Sequence, residues 1–294
     1  MKKKVAGILA SVMIFFTLAP VTKNYTTKVK VPMDPNKLII SYIDVGQGDS
    51  ELIQFHNKNI LIDSGPESSR DILINYLKAA HVTRLDYVIA THPHEDHIGN
   101  MAEIIKAFKV GVFYAPDVTA NTSAYENMVT SLKIKSLSIK VPSVGDKITI
   151  GDAALYFLAP NSTGYEDLNN YSIVTKLKFG NRSFIFMGDA EELSEGEILA
   201  KQLDLSADVL KVGHHGSGYS TSYEFLKAAH PKAAIISVGL LNDYGHPKQK
   251  ILDRLTDFRV DIYRTDIQGN TVAVTDGRSL TFNNVPALKG KSNR

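Results

Sequence analysis

One short stretch of the sequence, Thr91-His92-Pro93-His94-Glu95-Asp96-His97, contains the residue types that most clearly could do chemistry. Three imidazoles and one carboxylate stand in the pattern His-x-His-x-Asp-His. Such groups bind zinc, manganese or iron, and a catalytic site for these ions keeps a coordination position open for water. The chain has no cysteine, so a metal must be held by histidine, aspartate or glutamate. The spacing therefore favours a metal site over a polar loop that happens to be rich in histidine.

The elements around this motif place it at the end of a strand. The apolar run 85–90 precedes it and predicts a buried strand, while apolar residues at helical spacing predict a helix over 98–108. Open α/β sheets place their sites at the carboxyl ends of strands. Other polar groups follow predicted strands in the same way: Asp63, Asp189, and the pair His214 and His215. We therefore expect all of these side chains to converge.

The composition is that of a globular protein able to bury a large core, with 294 residues, 44% apolar and 22% charged. Predicted strands and helices alternate from residue 38 to residue 284 without an internal linker or repeat, which indicates one α/β catalytic domain. Residues 20–37 are polar and contain proline, as expected of a linker. Residues 285–294 form a basic tail.

The amino terminus has the pattern of an export signal. Three lysines precede the apolar run 5–19, which has the length of a signal-peptide core. A membrane-spanning helix needs about 20 apolar residues, so this run is marginal as a span. Residues 1–19 are therefore expected to be either cleaved or kept as a short anchor. In both cases the domain would be secreted or anchored on the outer face of the cytoplasmic membrane, with no further membrane domain.

The charge balance points to no particular partner. The formal net charge is +2, but residues 1–19 contribute three lysines and no acid, leaving 30 basic and 31 acidic residues. Nucleic-acid-binding proteins commonly carry a marked basic excess, which is lacking here. The oligomeric state is likewise left open by the sequence.

Taken together, the motifs resemble those of metallo-β-lactamase-fold hydrolases, and more narrowly the branch that contains the catalytic domain of ComEC-type competence proteins. The resemblance covers residues 38–275. It rests on six motifs in order: Asp44-Val45-Gly46-Gln47-Gly48-Asp49, Leu61-Ile62-Asp63-Ser64-Gly65, the histidine motif, Gly188-Asp189, Val212-Gly213-His214-His215-Gly216-Ser217 and Tyr244-Gly245-His246-Pro247. It implies an α/β fold of the αβ/βα four-layer sandwich type, in a single domain, with metal-dependent hydrolytic activity.

The resemblance also implies a ligand set for two divalent ions, zinc or manganese. The first ion would take His92 and His94, the second Asp96, His97 and His215, and both would share Asp189. Asp63 would orient a ligand histidine without binding the metal itself. Neighbouring residues on a regular strand point to opposite sides, so only one of His214 and His215 is expected to bind the ion. We favour His215, with His214 facing the substrate or another side chain.

One departure from the family concerns the first ion. The family usually provides a third histidine ahead of the shared aspartate, but this chain has no histidine between His97 and His214. Asn169, Asn170 or Ser172 lies at the corresponding place. Oxygen ligands suit manganese better than zinc, so the first site is expected to be weak or to prefer manganese.

The implied reaction is hydrolysis, because two bound ions lower the pKa of a coordinated water from about 15.7 toward about 7. The expected catalytic residues are Asp96, Asp189, His214 and His246, and Asn170 and Ser217 are expected to lie close to them. His214, His246 or Ser217 could bind a phosphoryl oxygen, and either histidine could protonate the leaving group.

Three functions fit these residues. The first is a secreted phosphodiesterase acting on nucleic acid or another phosphodiester, and the second is an esterase for another extracellular substrate such as phosphorylcholine. The third is a non-catalytic metal-binding relative. A pocket lined by aromatic residues near Tyr219, Tyr223 or Tyr244 would favour a quaternary amine. A basic groove would favour nucleic acid.

Overall fold

The computed structural model of the protein describes residues 34–291. Its strands are β1 (Leu38–Tyr42), β2 (Glu51–Phe55), β3 (Lys58–Ile62), β4 (Arg84–Ile89), β5 (Lys109–Tyr114), β6 (Ile139–Lys140), β7 (Lys147–Ile150), β8 (Ala153–Phe157), β9 (Thr175–Phe179), β10 (Arg182–Phe186), β11 (Val209–Lys211), β12 (Ala233–Ile236), β13 (Asp261–Arg264), β14 (Thr271–Thr275) and β15 (Leu280–Phe282). Its α-helices are α1 (Arg70–Ala79), α2 (Glu95–Ile98), α3 (Met101–Ala107), α4 (Ser123–Ile134), α5 (Glu192–Ala200), α6 (Tyr223–Ala229), α7 (Gln249–Asp257) and α8 (Thr265–Gln268). The predicted export signal and most of the predicted linker lie outside the described residues.

The strands form two mixed sheets. The first has the order β15-β14-β1-β2-β3-β4-β5-β6 and the second the order β13-β12-β11-β10-β9-β8-β7. Strands β3 to β6 are parallel to one another, as are β10 to β13, and the remaining pairs are antiparallel. Parallel strands end at the same edge of their sheet, so each sheet offers one edge where successive loops meet.

The two sheets pack face to face, and helices cover the outer faces. In β1, Leu38, Ile40 and Tyr42 belong to the core between the sheets, whereas Ile39 packs into the core beneath α1, α3 and α4. This two-residue alternation is what a strand between two apolar layers requires. On the other side, α5, α6 and α7 cover the second sheet. The predicted four-layer α/β sandwich in a single domain is confirmed.

The helix predicted over 98–108 is different in the structure. A helical turn begins earlier, at Glu95, and a break at Gly99 and Asn100 separates α2 from α3. The side-chain amide of Asn100 donates to the carbonyls of Ser64 and Pro66, at 2.9 and 2.6 Å, which stabilises the break. Helical periodicity alone cannot show such a break, because the bonds that hold it come from a distant loop. The predicted ligands Asp96 and His97 consequently lie within a helical turn.

No helix among residues 34–291 combines the length and the apolar character that crossing a membrane requires.

Candidate metal centre

The predicted ligands meet where the carboxyl ends of the parallel strands of both sheets face each other. The histidine motif follows β4 in the first sheet, and Asp189 follows β10 in the second. The two sheets come into direct contact here, because His97 Nε2 lies 3.2 Å from Asp189 Oδ1. The expected convergence of strand ends is therefore present.

Four of these side chains form one compact group. The ligand atoms of Asp96, His97, Asp189 and His215 all lie within 4.8 Å of one another. His215 Nε2 is 3.1 Å from Asp96 Oδ2 and 3.6 Å from Asp189 Oδ2. Two imidazoles and two carboxylates at these separations match the donor set of a divalent transition metal. This group corresponds to the second of the two predicted ions.

The residues predicted for the first ion lie beside this group. His92 Nε2 is 3.0 Å from His94 Nδ1 and 3.9 Å from Asp189 Oδ2. The other ring nitrogen of His92 lies near two hydroxyls, 3.1 Å from Thr91 Oγ1 and 3.3 Å from Ser172 Oγ. His92 Nε2 and His94 Nδ1 thus lie together at one place, and Asp189 adjoins both groups of predicted ligands.

The charges of the buried centre suit a cation. Burial by itself would raise the pKa of Asp189, but the imidazoles of His97 and His215 outweigh it and hold the pKa well below its usual range. Burial would lower the pKa of His215, but Asp189 and Asp49 together raise this pKa to about 10. The pKa of His97 is raised in the same way, chiefly by Asp189. The buried carboxylates thus favour positive charge at this place.

A divalent metal fits this arrangement. His97 Nε2 and Asp189 Oδ1 are buried and have each other as a charged neighbour at 3.2 Å, but among the described residues neither forms a well-aligned hydrogen bond. Buried polar atoms normally have a partner, and a metal ion would supply one to both. The same ion would supply positive charge among the carboxylates. That the predicted residues bind metal nevertheless remains a prediction.

Asp63 lies where an orienting carboxylate is needed. Its Oδ2 is 2.7 Å from His97 Nδ1, which turns the opposite nitrogen of the ring toward Asp189. The backbone N–H and the hydroxyl of Thr91 donate to Asp63 at 2.8 and 2.6 Å. Such contacts fix the orientation of a ligand imidazole and commonly change metal affinity by about 10–100-fold.

The His214-His215 pair does not lie on a regular strand, so the premise of the sequence argument was wrong. Strand β11 ends at Lys211, and both histidines have left-handed backbone angles, with φ of 48° and 52°. Non-glycine residues rarely adopt this conformation, which costs about 1–3 kcal/mol and is concentrated at functional sites.

The two histidines nevertheless have different surroundings. His215 is buried in the four-residue group, and its Nδ1 lies 2.9 Å from the carbonyl of Ser237. His214 is partly exposed, its Nδ1 is 3.2 Å from Glu191 Oε1, and its Nε2 is 3.8 Å from Asp189 Oδ2. This difference agrees with the preference for His215 as the ligand.

A buried ion pair beside the centre escaped the sequence analysis. Lys211 Nζ donates to Asp49 Oδ2 at 2.7 Å, and Asp49 Oδ1 lies 3.2 Å from His215 Nδ1. Both members of the pair are buried, and so is the neighbouring Glu51. Burial together with the charge of Asp49 raises the pKa of Glu51 well above its usual value. In the sequence, Asp49 is only the last residue of the first motif, and a lysine is ordinarily an exposed residue.

Two residues expected to lie beside the ligands make structural contacts instead. The side chain of Asn170 accepts from the backbone N–H of Ser194 at 3.2 Å and donates to Glu191 at 3.4 Å. Ser217 closes the turn, because its backbone N–H donates to the carbonyl of His214 at 2.7 Å. Neither lines the cavity above the metal centre. The expected role of Ser217 in binding a phosphoryl oxygen thus has no support from its position.

Two residues lie near the place where the family has its third histidine for the first ion. Ser172 Oγ accepts from the backbone N–H of Asp189 at 3.0 Å, which helps to fix the shared carboxylate. Asn169 lines the cavity, and its buried Oδ1 has no hydrogen-bond partner among the described residues. Among Asn169, Asn170 and Ser172, Asn169 is therefore the best candidate to supply an oxygen ligand to the first ion.

A cavity of about 610 Å³ lies above the centre. Its lining comes from loops of both sheets: Val45, Gly46, Gln47, Pro66, Ser68, His94, Glu95, Asp96, Asn169, Asp189, His214, His215, Tyr244 and His246. The predicted catalytic residue His246 stands in its wall, with its ring centroid 5.7 Å from that of His214. Burial, followed by the charges of His214 and His215, lowers the pKa of His246 to about 4. The cavity is large enough for a small organic group and opens directly onto the predicted ligands.

Two glycines of the first motif lead to a paired prediction. Gly48 has φ +148°, and a Cβ there would lie 2.3 Å from the carbonyl oxygen of Asp96. We expect Gly48→Ala to destabilise the fold by at least about 2 kcal/mol and to weaken metal binding, because Asp96 must move. Gly46 has φ +80° but no atom within 4 Å of a Cβ, so Gly46→Ala should cost only about 1 kcal/mol of backbone strain. Urea unfolding and zinc titration measure both effects, and equal losses would contradict the assignment.

The chain has clear relatives. Residues 43–239 match the model of the metallo-beta-lactamase superfamily. The chain is 33% identical over 265 residues to ComE operon protein 3 of Bacillus subtilis, a match that covers 84% of this chain and 34% of that protein. It is 29% identical over 238 residues to Recombination protein 2 of Haemophilus influenzae, covering 78% and 28% respectively. The chain thus spans about a third of the length of these relatives.

Solved structures share the fold. The metallo-beta-lactamase fold protein YhfI from Bacillus subtilis superposes with a TM-score of 0.57 at 15% identity. The superposition covers 81% of this chain and 100% of the YhfI chain. At this identity the similarity concerns the fold alone. Together with the matches in sequence, it confirms the predicted resemblance.

Proposed function

The chain belongs to the metallo-beta-lactamase superfamily and is a metal-dependent hydrolase with competence proteins among its relatives, and we propose that it is a phosphodiesterase that acts on nucleic acid. The observation that carries the proposal is Asp189, which adjoins two groups of imidazoles at the floor of an open cavity. A site for two adjacent divalent ions suits in-line displacement at phosphorus.

The residues at the floor of the cavity have different roles in the proposed phosphodiester hydrolysis. Bound metal ions supply Lewis acidity and a lowered pKa for coordinated water. Asp189 adjoins both groups of predicted ligands, and Asp63 orients His97 through its Nδ1 atom. The carbonyl of Ser237 orients His215 in the same way, with Asp49 Oδ1 nearby at 3.2 Å. These contacts keep the donor atoms in place before substrate binds, so that little reorganisation is needed.

The partly exposed histidines face the substrate. His214 Nδ1 lies 3.2 Å from Glu191 Oε1, a contact that leaves Nε2 directed toward Asp189 and the cavity. We assign His214 to bind a non-bridging phosphoryl oxygen or to give a proton to the leaving oxygen, with Glu191 fixing the ring. The ring of His246 lies beside that of His214 and forms part of the cavity wall.

The choice of nucleic acid rests on the relatives, and the cavity argues only against the amine-binding alternative. Recombination protein 2 is named for recombination, a process that involves nucleic acid. The cavity is neither a basic groove nor an aromatic cage. Of the three tyrosines considered as an amine-binding lining, Tyr244 lines it, whereas Tyr219 and Tyr223 do not. One exposed aromatic face is a weak basis for binding a quaternary amine, so phosphorylcholine becomes the alternative that the assay must exclude.

The place of action belongs to the same proposal. The pattern of residues 1–19 supports export, and we place the domain in the extracellular space or on the outer face of the cytoplasmic membrane. Phosphodiesters available there include nucleic acid released from other cells.

A substrate panel tests the proposal. We expect the purified protein, loaded with manganese or zinc, to hydrolyse bis(p-nitrophenyl) phosphate and single-stranded DNA or RNA. p-Nitrophenylphosphorylcholine is also a phosphodiester, and we expect its turnover to be much slower than that of the nucleic-acid substrates. Simple carboxylic esters should be left nearly untouched, and a chelator should stop the reaction. Absence of phosphodiester hydrolysis with either metal would refute the proposal. Selective release from the choline ester would favour the alternative, and stable binding of metal without any hydrolysis would favour a non-catalytic protein.

A further inference from the structure

We propose that Tyr244, with His246 and Lys248, forms a subsite for an unpaired nucleobase beside the phosphate that is cleaved. This inference rests on the proposed function and narrows its substrate to phosphodiesters that carry a base with a free face. The subsite lies at the mouth of the cavity, outside the predicted metal ligands.

Tyr244 is an exposed aromatic residue at the mouth of the cavity. Its side chain is 63% exposed, although it lines the cavity that leads to Asp189. The ring stacks on His246, with centroids 5.7 Å apart and planes at 22°. His246 in turn meets the edge of the His214 ring at 5.7 Å and 80°. A row of three rings therefore runs from the floor of the cavity to solvent, and its outermost flat face is uncovered.

The loop that carries Tyr244 is held by specific hydrogen bonds. The side-chain amide of Asn242 donates to the carbonyls of Gly239 and His246, at 2.9 and 2.7 Å. The Asn242 carbonyl oxygen accepts from the backbone N–H of His246 at 3.0 Å, and Lys248 Nζ donates to the carbonyl of Tyr244 at 2.6 Å. A ring held in this way can accept a stacked base without the cost of ordering a mobile loop.

The charge beside the Tyr244 ring favours a nucleotide over a quaternary amine. The ammonium of Lys248 lies on the Tyr244 loop, where it attracts a phosphate and repels a quaternary amine. Sites for quaternary amines surround the cation with several aromatic faces, but among residues 34–291 the cavity lining contains a single tyrosine and no phenylalanine. Binding sites for single strands combine a cationic group that contacts the backbone with an aromatic ring that stacks on the base. Lys248 and Tyr244 supply that pair.

Two substrates with the same leaving group test the subsite. Thymidine 5′-(p-nitrophenyl phosphate) carries a base, and methyl p-nitrophenyl phosphate does not. For Tyr244→Ala, we expect the ratio of kcat/KM for the thymidine substrate to that for the methyl substrate to fall about tenfold, the size expected for one base–aromatic stack. Tyr244→Phe should keep the ratio, because the ring is retained. Tyr223→Ala is the matched control, since Tyr223 is exposed but packs against Phe258 away from the cavity.

Binding supplies a second readout that does not depend on turnover. In the presence of a chelator, the anisotropy of fluorescein-labelled oligothymidylate should report weaker binding to Tyr244→Ala than to the unaltered protein, while an abasic oligomer of equal length should not distinguish the two. An unchanged substrate ratio together with unchanged oligothymidylate binding would overturn the subsite, and equal losses in Tyr244→Phe and Tyr244→Ala would overturn the stacking role.

The two proposals fail in different ways. If the unaltered protein hydrolyses neither substrate but binds oligothymidylate through Tyr244, the phosphodiesterase proposal is wrong and the base subsite stands. If it hydrolyses both substrates without any dependence on Tyr244, the phosphodiesterase proposal stands and the subsite is wrong.

Discussion

Replacing Asp189 by asparagine is expected to lower kcat for phosphodiester hydrolysis by about 10³-fold, because both groups of predicted metal ligands adjoin this carboxylate. Its two oxygens lie within 3.2–3.9 Å of ring nitrogens in both groups of ligands. Asparagine preserves the shape but removes the negative charge and one of the two anionic oxygens. Metal-ion catalysis contributes several kcal/mol of charge stabilisation, and about 4 kcal/mol corresponds to about 10³ in rate.

Metal content gives an independent readout of the same substitution. The unaltered protein should bind two ions per chain and melt at a higher temperature when metal is added, because the ion binds only the folded form. Asp189→Asn should lose at least one ion and most of that thermal shift. Asp208→Asn is the matched control, since Asp208 is also buried and hydrogen-bonded but precedes β11 at the opposite end from the site. Full activity and two tightly bound ions in Asp189→Asn would show that Asp189 is not shared.

Replacing Lys211 by methionine is expected to reduce the free energy of unfolding by about 3–5 kcal/mol, the usual cost of removing one partner from a buried ion pair. Lys211 and Asp49 are both essentially inaccessible to solvent, with 2.7 Å between Nζ and Oδ2. Methionine has a similar length but leaves the Asp49 carboxylate buried without its cation. The charges of Asp49 and Glu51 outweigh burial and keep the pKa of Lys211 above its ordinary value, so the lysine is charged in the folded protein.

Two further variants separate this effect from a general loss of lysine. Lys178→Met removes an exposed pair with Asp204, with side-chain exposures of 48% and 58%, and should cost less than about 1 kcal/mol. The double variant Asp49→Asn with Lys211→Met should recover part of the loss, because no unpaired charge remains. Urea unfolding at neutral pH measures all four proteins. Similar losses for Lys211→Met and Lys178→Met would contradict the importance assigned to the buried pair.

The Lys211 variant should also weaken metal binding, although Lys211 touches no predicted ligand atom. Asp49 lies between Lys211 and His215 Nδ1, at 2.7 Å from one and 3.2 Å from the other. Loss of an orienting contact of this kind commonly lowers metal affinity by about 10–100-fold. Competition with a colour-forming zinc chelator measures the change.

Several parts of the fold and the site followed from local patterns. Alternating and helical periodicities identified the α/β architecture, because the side chains of a strand or a helix face the core at fixed intervals. The motif His92 to His97 and the positions of Asp63 and Asp189 after predicted strands indicated one metal centre, and the structure brings these residues together. The architecture and the metal centre could both be predicted because the patterns that indicate them extend over only a few neighbouring residues of the sequence.

Other features depend on parts of the chain that are far apart. Lys211 and Asp49 are separated by 162 positions, so their pairing cannot be seen in either local sequence. The left-handed turn at His214, the contact of that ring with Glu191 and the break before α3 likewise depend on bonds between loops. Folding brings the strand ends of two sheets to one place, and only there do burial and neighbouring charges determine which side chains can hold a metal and which can meet a substrate.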